Sequence, residues 1–341
     1  MRLSSVRRPG LWRAAAAALL VAGTASAAPQ TAPYQPPQHN NPPPLLTNAT
    51  PAEINVHANA GSELEFDRPA KWALAEHRKL ERALTGVLPQ RKGVVDAYVI
   101  AIALDSDPVF GREAREAGKV LARRYDAAGR TIVLAGTDGS AESSLPRGSP
   151  GNLAAALARI AEAMDPKEDV LILYTTSHGA QFGIVYNDGD QGIGAISPFR
   201  LWKLLGDVGI ENRMLILSAC YSGVFVPLLS APNSVVISAA ASDRSSFGCV
   251  SENDWTFFGD ALINHALRKA QPLDKAFAEA RGLVGQWEAQ GAMLASNPQV
   301  SIGADVAQWL APLEKRTPAA PGVPVGRPAT EALADAAARR H

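Results

Sequence analysis

Met214-Leu-Ile-Leu-Ser-Ala-Cys220-Tyr-Ser-Gly223 is a short apolar run that stops on a cysteine and then on small residues. A run this short, closed by Gly and followed by an amphipathic segment, reads as a buried parallel strand whose C-terminal end opens into a loop. Asp169-Val-Leu-Ile-Leu-Tyr-Thr-Thr-Ser-His178-Gly179 has the same design and ends on His-Gly. Reactive groups collect at the carboxyl edge of open α/β sheets. If the two strands are neighbours, their ends present a thiol beside an imidazole. A free thiol is only a few per cent thiolate at pH 7, so an imidazole that accepts its proton raises its reactivity. Gly179 lets the backbone approach a substrate, and its N–H can point at a developing oxyanion. A cysteine at a strand end, taken alone, reads as a small core residue; the ordered pair of strand ends points beyond that.

Working outward, strand and helix patterns alternate from residue 94 to 240. Val94 to Leu104 reads as a first buried strand, and Asp105-Ser-Asp107-Pro as a turn entering a helix from Gly111 to Tyr125. Thr131 to Ala135 is a second strand, and a helix runs from about Leu153 to Met164 behind Ser149-Pro. After the His178 strand come a small β-excursion at Gln181 to Tyr186, a turn at Asn187 to Asp190, and a helix from Ser197 to Leu205. The turn is acidic but lacks the ligand spacing and closing glutamate of a calcium loop. Val235 to Ala239 is one more strand, and helices at Phe257 to Lys269 and Leu273 to Gln290 finish the pattern. Such alternation predicts a mostly parallel sheet with helices on both faces. Trp72 to Leu84 adds an amphipathic helix at the edge.

The chain has 341 residues, of which 47% are apolar, enough for a real core. Residues 1–27 read as a secretory signal, with Arg2, Arg7, Arg8 and Arg13 before an apolar stretch from Ala14 to Ala22 and Ala25-Ser-Ala27 at the cleavage site. The apolar stretch is short for a membrane span, so no stable membrane insertion is expected after cleavage, and the location is periplasmic or secreted. Residues 28–68 read as a Pro-rich linker or pro-segment, 69–312 as the folded domain, and 313–341 as a loosely ordered Pro/Ala-rich tail with a short helix at Thr330 to Arg340. The whole chain has formal net charge zero, and nothing in it argues for nucleic acid as a partner. Cys220 and Cys249 are its two cysteines. In an oxidising compartment they could pair, which would silence a Cys220 nucleophile, so Cys249 reads either as free or as a redox off-switch.

The strand-His-Gly and strand-Ser-Ala-Cys-Tyr-Ser-Gly combination resembles the legumain-like cysteine peptidases, the C13 family, across roughly residues 78 to 290. The resemblance implies a caspase-like three-layer sandwich and a peptide or protein substrate, with no metal or organic cofactor. It implies a catalytic dyad of His178 and Cys220, with the backbone N–H groups of Gly179 and Cys220 as oxyanion hole. It implies a substrate pocket drawn from Arg112, from Ser218 where the family carries an acid, from Ser245 and Ser246 in Ser242-Asp-Arg-Ser-Ser-Phe, and from Asp260 in Thr256-Phe-Phe-Gly-Asp. Gly111 stands where a second basic residue is common in the family. Asn or a basic residue at P1 are therefore both open, as are hydrolysis and transfer to an amine.

Two other functions compete. A catalytically silent caspase-like module would bind peptides through the same pocket. An esterase would use Ser222 or Ser177, but neither lies in a Gly-x-Ser-x-Gly elbow.

Overall fold

The computed structural model describes residues 49–136, 143–189, 191–331 and 333. All of them lie in one compact unit, Pro44–His341. The expected signal segment, the expected linker up to residue 48 and most of the expected C-terminal helix lie outside the described residues. In chain order the elements are α1 (Pro51–Ala60), β1 (Glu63–Glu65), α2 (Ala70–Thr85), β2 (Ala97–Ala103), α3 (Pro108–Arg124), β3 (Thr131–Leu134), α4 (Pro150–Ala163) and β4 (Val170–Thr176). Next come β5 (Gly179–Ala180), β6 (Gly183–Asp188), β7 (Gly192–Ile196), α5 (Pro198–Asp207) and β8 (Arg213–Ser218). The chain continues through α6 (Val226–Leu229), β9 (Ser234–Ser238), α7 (Phe257–Gly259), α8 (Leu273–Gln290), β10 (Gln299–Ile302) and α9 (Ala307–Glu314). Beyond α7 the helix widens into a π turn over Asp260–His265 and then tightens over Ala266–Arg268.

The main sheet has the order β10-β9-β8-β4-β2-β3. β10 is antiparallel to β9 and the other pairings are parallel. Every residue of β2 and β4 is buried, which is why these strands read as unbroken apolar runs: both of their faces are covered. The pleat divides them between two cores. Val99, Ile172, Tyr174 and Ile216 pack with α3, α7 and α8, whereas Ile100, Leu171, Leu173 and Leu215 pack with α4 and α5. The expected three-layer sandwich, a mostly parallel sheet with helices on both faces, is what the chain forms. α4 and α5 start on Ser149 and Ser197, whose side chains accept from Asn152 N and Arg200 N ahead of a proline in the first turn. The β-excursion is a second sheet of order β1-β7-β6-β5, leaving β4 directly after His178.

Two boundaries differ from the sequence reading. Residues 51–65, assigned to the linker, form α1 and β1. Thr50 and Glu53 make a reciprocal capping box with Pro51 at the helix start, and β1 pairs antiparallel with β7. Packed chain therefore includes residues 51–65, ahead of the expected start at 69. The tail is also packed beyond residue 312. Arg316 Nη2 donates to Val95 O at 2.5 Å, Trp255 Nε1 to Val325 O at 2.8 Å, and Arg327 N to Asp254 Oδ2 at 2.7 Å. A proline-rich stretch makes few hydrogen bonds of its own, so here the domain's backbone and side chains supply its partners.

Candidate active site

Register places the two predicted strand ends side by side. β4 and β8 are parallel neighbours with Thr176 opposite Ser218. His178 and Cys220 each follow two residues later, level with one another at the carboxyl edge. Side chains two apart share a face of the sheet, so Thr176 and Ser218 lie one repeat, about 6.6 Å, below the imidazole and the thiol. Ser177 N donates to Ser218 O at 3.2 Å and carries the pairing past the regular strands. Gly179 crosses close over the β8 end: a Cβ there would lie inside contact distance of the Cys220 carbonyl oxygen and 3.0 Å from Ala219 Cβ. Only glycine lets the backbone of the His178 end approach the Cys220 end this closely.

Directly after Cys220 the chain turns sharply. Tyr221 has φ 58°, in the left-handed region that non-glycine residues adopt at a cost. Its N–H donates to Arg244 O at 2.8 Å, and Val224 N returns to Tyr221 O at 3.0 Å. These bonds hold the turn against the strain, and the thiol sits at its crest.

The Cys220 sulfur is half-buried and surrounded by donors. Ser246 N donates to Sγ at 3.2 Å, and Ser246 Oγ is 3.6 Å away. The Cys249 thiol is the strongest influence: its hydrogen bond, with those of Ser246 and Ser245, outweighs burial and lowers the Cys220 pKa to about 5. Cys249 takes the opposite shift, well above an ordinary thiol, because it donates to Cys220, is buried and faces the Cys220 charge. The two cysteines are thus shifted in opposite directions.

The His178 side chain is 44% exposed and faces Asp107. Its Nε2 lies 3.6 Å from Asp107 Oδ2, and its ring meets Phe110 edge-on with centroids 5.1 Å apart. Among the described residues no hydrogen bond joins the imidazole to the thiol; such contacts are often loose without substrate. Asp105, Asp107 and His178 offer three ligand-type atoms within 4.8 Å of one another, a group that could hold a cation, with Asp107 and His178 open to solvent.

The pocket residues predicted from sequence separate into two sets. Ser245 and Ser246 reach the Cys220 sulfur. Ser218 lies beneath it, donating to Glu113 Oε1 at 3.2 Å. Arg112 is engaged by the loop before α7: Nε is 2.9 Å from Asp254 Oδ1, Nη2 donates to Asn253 O at 2.6 Å, and Nη2 also donates to Ser251 O. Asp260 is not brought to this cluster. It is fully buried in the π turn, where Oδ2 accepts from Ala329 N and Oδ1 from Asn264 Nδ2, both at 2.8 Å. The tail, expected to be loose, covers it.

Sequence reasoning missed Glu113 and Asp107. Glu113 is fully buried, and its Oε1 accepts from Tyr174 Oη at 2.5 Å and Thr176 Oγ1 at 2.7 Å besides Ser218, while Oε2 accepts from Thr256 N at 2.8 Å. It ties β4, β8 and the start of α7 together under the site. Helical spacing could have revealed it, since Phe110, Ala114, Ala117 and Leu121 are buried along the same side of α3. Asp107 read only as part of a turn before a proline.

The fold and site together define a three-layer α/β protein with a free cysteine and a histidine following neighbouring parallel strands at the carboxyl edge of its sheet. Residues 151–307 match the model of the Peptidase C13 family, the family that the two strand-end motifs resemble. That segment runs from the first turn of α4 into α9, spans just under half of the chain and contains both His178 and Cys220. Among solved structures, a crystal structure of caspase-1 from Spodoptera frugiperda is similar at 13% identity, covering 64% of this chain and 93% of that one, with a TM-score of 0.44. No match is found among curated proteins.

Proposed function

We propose that this protein is an exported cysteine endopeptidase of legumain type, with Cys220 as nucleophile and His178 as general base. The observation that carries the reading is the Thr176–Ser218 register, which sets the imidazole level with a thiol held near pKa 5. In the first step His178 accepts the Cys220 thiol proton, the sulfur attacks a peptide carbonyl carbon, the C–N bond breaks, and the departing amine leaves with that proton from His178. The thioester left on Cys220 is then resolved by water, or by an amine in a transpeptidase branch. The match of residues 151–307 to Peptidase C13 supports a peptide or protein substrate. The signal-like residues 1–27 support export. An Asn-selective pocket needs an acid and a base both facing the substrate, whereas here Arg112 pairs with Asp254 and Asp260 sits under Ala329; a P1 scan should therefore include Lys and Arg beside Asn.

The test is iodoacetamide alkylation of the mature protein across pH, read by mass at each cysteine. Alkylation needs thiolate, so the Cys220 rate should stay flat from pH 8 to about 6 and fall as pH drops through about 5, where an ordinary thiol is already unreactive. Cys249 should label slowly throughout. Cys220→Ala should abolish hydrolysis of a mixed-P1 peptide library. A Cys220 rate that climbs only above about pH 8 would end the reading. One observation favours the silent peptide-binding module, namely that the imidazole is turned toward Asp107; saturable peptide binding without turnover by the wild type would select it.

A further inference from the structure

Cys220 and Cys249 are the two cysteines of the chain, both are free thiols, and the fold brings them together at one site. They arrive from different elements, Cys220 from the end of β8 and Cys249 from the loop between β9 and α7. Two anchors hold that loop over Cys220. Ser246 N donates to Cys220 Sγ at 3.2 Å. Gly248, with φ 93°, turns the chain back, and its carbonyl accepts from Val250 N and Asn253 Nδ2, each at 2.9 Å. Between Gly248 and Val250, Cys249 packs on the cluster of Ala103, Val109 and Phe110, whose Phe110 ring meets the His178 imidazole edge-on, and its thiol neighbours the Cys220 sulfur.

We propose that Cys249 is a resolving thiol, and that this pair is a redox modification site at which oxidised Cys220 is captured in a reversible disulfide. The oxidant is hydrogen peroxide. Cys220 thiolate attacks the peroxide oxygen, the O–O bond breaks, and hydroxide leaves, giving the sulfenic acid. Cys249 sulfur then attacks the Cys220 sulfur, the S–O bond breaks, and hydroxide departs with the Cys249 proton as water. Two thiols lose two electrons to one peroxide, and two waters form with the proton that Cys220 had released. A dithiol reverses the step by exchange. The thiolate is the form that peroxide oxidises, and the adjacent protonated thiol is positioned to reach the sulfenic acid before a second peroxide does. While the disulfide stands, no nucleophile is available.

The inference rests on the same reading of Cys220 as a reactive thiolate, so the experiment reads the two separately. Reduced mature protein is treated with an equimolar amount of hydrogen peroxide and quenched, then measured by intact mass, peptide mapping and iodoacetamide labelling at about pH 6. The expected result is loss of two hydrogens, a cross-linked Cys220–Cys249 peptide, and loss of Cys220 labelling that dithiothreitol restores in full. In Cys249→Ser, treated with two or more equivalents of hydrogen peroxide, Cys220 should instead gain two oxygens, with labelling that dithiothreitol does not restore. The wild-type mass decides the matter even where the variant does not fold. Wild-type Cys220 gaining oxygens while Cys249 stays alkylatable would overturn the proposal, as would two reduced cysteines after peroxide with Cys220 still labelling fast. Slow labelling of reduced Cys220 together with formation of the disulfide would instead remove the peptidase reading and leave this one standing.

Discussion

Replacing Glu113 with Gln tests the link between the buried polar network and the site above it. The carboxylate accepts three hydroxyl donors on Oε1 and Thr256 N on Oε2. A glutamine oxygen can take the place of Oε1 and keep the three hydroxyls. Its NH2 group then faces the N–H of Thr256, so one backbone bond is lost and donors are left opposed in a fully buried place. A lost bond to a carboxylate with an unsatisfied donor costs about 2–4 kcal/mol. In a protein of this size each kcal/mol moves the melting temperature by about 2–4 °C, which gives a drop on the order of 10 °C by differential scanning calorimetry. Thr176 and Ser218 stand two residues before His178 and Cys220, so disturbance of the network should also slow Cys220 alkylation at pH 6. An unchanged melting temperature with unchanged Cys220 labelling would refute the reasoning and reduce Glu113 to a tolerated buried acid.

Two further outcomes follow from the same geometry. Asp107→Ala removes the partner of a half-exposed imidazole, and exposed pairs of this kind contribute about 0–1 kcal/mol; melting should barely change while peptide turnover falls by up to about 5-fold, with recovery in Asp107→Asn, and unchanged turnover would remove Asp107 from the positioning role. Asp260→Asn should weaken the tether to Ala329 N by about 1–2 kcal/mol and speed tryptic cleavage at Arg327; a changed P1 preference with unchanged cleavage would return Asp260 to the substrate pocket.

The sequence alone carried the layered architecture, because strands covered on both faces must be apolar throughout and the helices between them keep the 3.6-residue period. It also carried the two strand ends, since His178-Gly179 and Cys220 interrupt apolar runs at the one edge where open α/β sheets gather reactive groups. Local signals were present even where they were misread: Thr50-Pro-Ala-Glu53 spells a capping box, yet the Pro-rich surroundings turned it into linker. What composition could not supply was every feature made by pairing between distant segments. β10, at Gln299–Ile302, is too short and too polar to stand out and exists because β9 offers an open edge. The tail is ordered by hydrogen bonds that Trp255 and Asn264 donate and Asp260 accepts, which no proline-rich stretch announces. Asp260 and Glu113 show the division most clearly, since both are acids on helical turns. Only tertiary packing decided that the first lies under the tail and the second under the ends of β4 and β8, because a helix fixes which side a residue faces but not what is packed against it.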